Sequence, residues 1–585
     1  MGATANQPQV RLDVEGLDRG LGFFGLLWAS ETSIIGSGWL FGALGAALIA
    51  GPSAIFGWIL ASIIVAILAL IHAELGGLFP VTGGTSRFPH YAFGSFAGAT
   101  FGWASYLQAA SVAPIEVLAA IQYLSTAHWA HSWYTKQTTG PGTLSGAGIV
   151  AAIVLMVLFV IFNLIGIRWL ARISNAITTW KVFIPVITII ILILGHFHSG
   201  NFGHAGGGFF ASSSPIKAII ETLPAGIVFS LLGFEQAVQL AGEAKDPQKD
   251  LARAVIGSVA IGAVVYLLVQ IAFLGALDPH LLAVNGGWEG LGAPAKGVSA
   301  AVSRDIVNLN AGPFFTVASL AGVGWLATVL RIDAVISPSG TGLVYTTSAS
   351  RLSFGMSKNG FLPTAFESIE PRSKAPIFSV VVAAIVGLLF LLPFPSWSAL
   401  VNVVTAASVL MYAAAPLSLA ALRMQKPNLP RAYSVAGASV LAPLGFIGAT
   451  WIIVFSGWET YTTLMVAVLI GYGLIALSYR FKANPKAPAM DWQAAPWIGG
   501  YFIGMLVISY LGAFGPGGII GGIGIFKTVL DQGGTDDIGL GGTLIASTIW
   551  ALVVYYWALS ARLSESKVDE YVQEVYPSAD SIAAH

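Results

Sequence analysis

Runs of about 20 apolar residues recur from one end of this chain to the other, each long enough to cross a hydrocarbon core of about 30 Å at 1.5 Å per residue. The apolar windows place helices at 21–50, 52–79, 96–127, 146–166, 172–195, 218–243, 251–276, 313–349, 376–393, 397–423, 438–457, 460–481, 496–513 and 541–562, about fourteen spans. Only 9% of the side chains are charged, against roughly 25% in soluble domains, so the bilayer is the main solvent. The fold class that follows is all-α and integral to the membrane.

Lys+Arg and Asp+Glu balance at 27 each, which gives no reason to expect nucleic acid as a partner. The absence of cysteine excludes disulfides, thiolate metal sites and thiol nucleophiles. His196, His198 and His204 fall in one expected external loop, but no carboxylate joins them there, so no metal site is expected. No Gly-x-x-x-x-Gly-Lys-Ser/Thr loop is present, which argues against direct ATP coupling. The polar stretch from Met1 to Arg19 runs into a segment too long for a signal core, so the first helix is expected to stay.

Short cytoplasmic loops collect Lys and Arg. With the N-terminus inside, Arg87, Arg168, Arg172, Lys245, Lys249, Arg253, Arg351, Lys358, Arg372, Lys374, Arg423, Lys426, Arg431, Arg480, Lys482, Lys486, Arg562 and Lys567 all fall on the cytoplasmic side, with Arg11 and Arg19. Both termini are then cytoplasmic in a multi-pass protein of the cell membrane. The expected organisation is a cytoplasmic segment at 1–20, a ten-helix core at 21–423, further helix pairs at 438–481 and 496–562, and a cytoplasmic tail at 563–585. The Gly-rich stretch Gly515 to Gly524, with Asp531, Asp536 and Asp537, is an unusual connection that could hide a re-entrant turn.

Irregular backbone at mid-membrane depth is tolerated only where it is buried or lines a cavity. Span one carries Gly36-Ser37-Gly38 in its middle, and span six, five helices later, carries Ser230 to Phe234 with Gly233 between. Matching interruptions of this kind point to a transporter built from two inverted five-helix repeats, with discontinuous helices one and six. The alternative is that these glycines merely let helices approach closely.

The run Ile35-Gly36-Ser37-Gly38, the set Glu74-Leu75, Phe79-Pro80, Gly83-Gly84 and Tyr91, and Phe229 to Glu235 followed by Glu243, Lys245-Asp246-Pro247 and Arg253 resemble the amino acid/polyamine/organocation transporters, from Leu21 to about Arg480. Within that superfamily, Asp333-Ala334-Val335-Ile336-Ser337-Pro338-Ser339-Gly340 and Leu392-Pro393-Phe394-Pro395-Ser396-Trp397 look like the bacterial aspartate/proton symporters, which the last two spans also fit. The resemblance implies a proton-coupled symporter without a cofactor, driven by the proton gradient, with an amino acid and protons as its small-molecule partners. The α-carboxylate would lie at Ile35, Gly36, Ser37 and Gly38, and the α-amino group at Phe229, Ser230, Leu231 and Gly233, with Phe234 beside them. An amino acid exchanger, or a symporter of neutral or basic amino acids, is the alternative; an ion channel or a membrane enzyme ranks lower.

An intramembrane ionisable residue is a functional candidate by default. Lys181 lies within span five, where the resemblance implies an ammonium in place of a sodium ion. Burial disfavours the charged form of an amine, so this group could gain and lose a proton during transport; the alternative is a lysine that snorkels to the surface. Glu235, just past the break in span six, is either a second proton acceptor or a brace for the broken helix, and an anion there disfavours an acidic substrate unless protonated. Glu116, two residues after Pro114, is either a proton carrier or a partner of another buried polar group. Asp333 and Ser337 are four apart and share a helix face, and the resemblance pairs Ser337 with Lys181. Glu31 and Glu74 read as gate or packing residues. Phe229, Phe234 and Trp325 are candidate gates in a chain with many bland aromatics.

Overall fold

A computed structural model describes residues 20–135, 142–164, 167–371, 375–391, 396–515, 537–573 and 575, with the backbone alone for 167–175. The expectations for Arg11, Arg19, Arg372, Lys374, the Leu392-Pro393-Phe394-Pro395 part of the second motif, the side chains of Arg168 and Arg172, and the connection at 516–536 lie outside the described residues.

Each of the fourteen expected spans has a helical counterpart. Span one is two helices, Phe23–Ile34 and Ser37–Ala50, separated at Ile35 and Gly36. Span two is Ala54–Leu78, span three Ser95–Leu124, span four Gly146–Leu164, span five Ile167–Gly195 and span seven Pro247–Ala276. Spans nine to fourteen are Ile377–Phe390, Trp397–Gln425, Ala438–Phe455, Gly457–Arg480, Pro496–Leu511 and Gly539–Ala561.

Span six is more broken than the sequence suggests. Pro215–Glu221 leads into a wide turn at Leu223–Ile227 where Gly226 has φ 144°, then Val228–Leu231, a second interruption at Leu232–Phe234, and Glu235–Gln239. Span eight, expected as one helix over 313–349, is two: Pro313–Leu320, a turn in which Gly322 takes φ 78°, and a 35-residue helix Gly324–Lys358. Only glycine holds such a φ without strain. Between spans two and three the Gly83-Gly84 segment opens a short buried helix, Gly84–Phe93.

Span three is the central post, buried along nearly all its length, with spans eight and ten against it. The outer helices turn apolar faces to lipid. Span four buries Gly148, Ala152, Met156 and Phe159 while Val150, Val154 and Val157 are exposed, so buried and exposed apolar residues alternate at helical spacing.

Loops sort onto two ends. At one, Lys245 N donates to Leu21 O, Gln425 bonds Ala92 O and Leu563 O, and Arg423 pairs with Glu74. At the other, Ser53 N donates to Phe209 O and Gln122 to Asn310 O, beneath the short helices Pro279–Val284, Gly287–Gly290 and Ala300–Ala311. The segment after span fourteen is a docked helix, Glu565–Val572, capped by Ser564 and burying Val568 and Val572. Its Tyr571 hydroxyl donates to Asp491 (2.7 Å), the ring lies 4.2 Å from that of His90, and Asp569 pairs with Lys426 (2.6 Å).

Candidate functional site

The interruptions of spans one and six lie against each other. Gly233 has φ 124°, and a Cβ there would fall 2.7 Å from Ile34 N and from Ser33 Cβ, so glycine is required by conformation and by space. Gly38 lies against Ser230, whose hydroxyl turns back to Gly226 O (2.7 Å). Ser30 donates to Phe234 O (3.0 Å) and Tyr266 to Ile34 O (2.6 Å), so the last carbonyls of the first half-helix and the backbone of the second break find partners.

The second half of span one begins at Ser37, where unpaired backbone donors and the helix dipole favour an anion. In the structure that anion is Glu116: Ser37 donates to it from its backbone N–H (2.8 Å) and its hydroxyl (2.9 Å). Lys181 closes the other side. Fully buried, it donates to the carbonyl of Thr32, in the last turn of the first half-helix, and to Thr341 Oγ1 on span eight (2.7 Å). A cation suits a helix C-terminus for the reason an anion suits its N-terminus. Gly36 sits between the two groups: a Cβ there would lie 2.7 Å from Thr341 Oγ1 and 2.8 Å from Glu116 Oε1.

Two sequence expectations change. Ser337 does not meet Lys181; its hydroxyl donates to Asp333 (2.6 Å), one turn back, and Thr341, one turn on, takes the lysine. Asp333 also accepts from the indoles of Trp180 (2.8 Å) and Trp39 (3.1 Å). The snorkelling alternative for Lys181 fails, since the amine points inward. Trp325 is 60% exposed.

Glu235 accepts from five donors: Gly233 N (2.9 Å), Gln108 (3.2 Å), Gln236 (3.0 Å), Tyr345 (3.0 Å) and Tyr412 (2.5 Å). Phe234 stacks on Tyr412, and Phe229 meets Trp397 edge-on. Trp397 is a residue whose role the sequence did not disclose. Its indole donates to Ser37 Oγ (2.8 Å), its ring stacks on Phe41, and above this pair opens a cavity of about 300 Å³ bounded by Leu44, Gln122, Tyr134 and Asn310. At the opposite end Glu243 and Arg351 form a buried ion pair (2.9 Å), and Glu74 joins Arg423, Arg431 and the backbone N–H of Val435.

A helical membrane protein whose first and sixth spans are interrupted at the same depth, with backbone termini and a buried ammonium meeting there, belongs to the class of inverted-repeat secondary transporters. The sequence profile described as amino acid permease matches residues 21–475, and the chain belongs to that family. It is 34% identical over 546 residues to the glutamate/serine transporter AimA of Bacillus subtilis (strain 168), covering 93% of this chain and 94% of that protein. It is 33% identical to the aspartate-proton symporter of the same organism, covering 94% and 98%, and 25% identical to its branched-chain amino acid permease BcaP, covering 78% and 92%.

Proposed function

We propose that this permease is a proton-coupled symporter of small amino acids, with aspartate, glutamate and serine as first candidates, and that the amino acid binds between the breaks of spans one and six. The observation that carries the reading is the Lys181 ammonium, which ties the end of the first half-helix to span eight through Thr32 O and Thr341 Oγ1. The positive charge on that amine strengthens both contacts and so fastens the half-helix. The substrate α-carboxylate lies at Ile35 to Gly38, taking the Ser37 donors in place of Glu116, the α-amino group lies at the backbone around Phe229 to Gly233, and rocking of one bundle against the other moves the site between the two faces.

Glu235, surrounded by five donors, braces the break in span six. Trp397 and Phe41 cover the site from the external side and the Glu243–Arg351 pair closes the cytoplasmic side, where both termini lie. Uptake of labelled aspartate, glutamate and serine into proteoliposomes, with and without an inward proton gradient, tests the reading. Gradient-driven accumulation that Lys181→Ala abolishes while counterflow persists is the expected result. Gradient-independent counterflow in the unmodified protein would identify an exchanger instead.

A further inference from the structure

Four carboxylates are buried around the two breaks, and they differ in what they accept. Glu235 has five donors, Asp333 three and Glu116 two, both from Ser37. Glu31 has none: it is 0% exposed, in the last turn of Phe23–Ile34, and neither of its oxygens meets a donor among the described residues. Hydrogen bonds to a carboxylate favour its charged form. An isolated charge in a low-dielectric interior is the most costly arrangement of all. Of the four, Glu31 is therefore the group for which a proton relieves most.

The charge balance agrees. Among the described residues, Lys181 is the one ammonium bearing on Glu31, Glu116 and Asp333 together, and a single cation cannot neutralise three anions in this setting. Among the described residues, the other titratable groups on the elements packed against this half-helix are engaged elsewhere, Arg331 of span eight with Thr126 and Lys358 with Glu367. Tyr266 of span seven, which also bears on Glu31, donates to Ile34 O; Glu235 of span six is braced; Tyr345 and Arg351 of span eight bond Glu235 and Glu243; and Lys249, Asp250 and Arg253 stand at the cytoplasmic end of span seven. Glu31 also precedes Thr32, whose carbonyl receives the Lys181 ammonium, so it rides on the segment that the lysine fastens.

We infer that Glu31 is the carboxylate that binds the coupling proton: its carboxylate takes one proton from the external solution and returns it to the cytoplasm when the half-helix moves, no other bond being made or broken. The inference rests on the proton-coupled reading above. Full-length protein in liposomes tests it through three readouts: gradient-driven accumulation, counterflow, and substrate-linked entry of protons reported by a pH-sensitive dye in the lumen. Glu31→Gln, fixed in the neutral form, is expected to keep counterflow, to lose at least tenfold of gradient-driven accumulation, and to abolish substrate-linked proton entry, while Glu31→Asp restores part of it. A hydrophobic carbodiimide, which attacks protonated carboxyls in membranes, is expected to label unmodified protein at Glu31 ahead of Glu116, Asp333 and Glu235, and less as pH rises. Gradient-driven accumulation that survives Glu31→Gln, or labelling led by one of the other three, overturns the assignment and leaves symport intact. Unmodified protein indifferent to the gradient overturns both.

Discussion

Gly36 separates the Lys181–Thr341 contact from Glu116 by the thickness of one α-carbon, and a side chain there has nowhere to go. Gly36→Ala places a Cβ within 2.8 Å of both Thr341 Oγ1 and Glu116 Oε1, an overpacking that costs about 1–3 kcal/mol, so the initial rate of uptake per reconstituted molecule is expected to fall at least tenfold with the protein still inserted. Glu235→Leu orphans Gly233 N–H and the hydroxyls of Tyr345 and Tyr412 at about 1–3 kcal/mol each; its melting temperature in detergent should drop by many degrees, and Glu235→Gln by fewer. Lys181, Glu116, Glu235 and Asp333 were legible as candidates because a charge in an apolar window stands out. Thr341, Thr32 and Trp397 were not, because hydroxyls and indoles are ordinary in membrane helices and only the fold brings them to the breaks. The spacing that joined Asp333 to Ser337 extends one turn further to Thr341, which was the available signal.

At the scale of elements, the interruptions in spans one and six were readable from their glycines, whereas the turn at Gly322 was hidden in an apolar stretch, 313–330, that reads as one continuous run. Span eight runs on past its apolar window because its last turns find partners: Arg351 holds Glu243, at the end of span six. Removing one member of a buried pair costs about 3–5 kcal/mol, so Arg351→Ala is expected to speed hydrogen exchange over residues 235–243 relative to span three. Beyond Lys358, burial opposes ionisation of Glu367, but the ammonium groups of Lys358 (3.2 Å) and Lys486 (3.3 Å) outweigh it and hold this carboxyl below its ordinary value. The ordinary value is about 4.3. Because the folded-state value is the lower, the stabilisation is present above the ordinary carboxylate range and disappears as pH falls through the depressed value. Solvent screening keeps it under about 1 kcal/mol. Glu367→Gln should therefore lower the melting temperature slightly at pH 7, make no difference in strong acid, and leave the pH profile of uptake between pH 5 and 8 untouched.

For the whole molecule, membrane residence was legible from hydropathy alone, but the order in which helices surround span three was not, since the hydropathies of outward-facing and buried spans overlap. Because the chain has no cysteine, its sidedness can be measured without background: Ser213→Cys should react with a membrane-impermeant maleimide in intact cells, and Ser566→Cys only after permeabilisation. The docked helix Glu565–Val572 adds a constraint in time rather than in space. Membrane helices enter the bilayer as the ribosome delivers them, so the Gly84–Phe93 helix, made early, waits through twelve further spans for the segment whose Leu563 N reaches Ala92 O and whose Tyr571 covers His90. Until residues 563–571 leave the exit tunnel, that face stays open to the chaperones and proteases that inspect nascent membrane proteins, and their arrival is the event that conceals it.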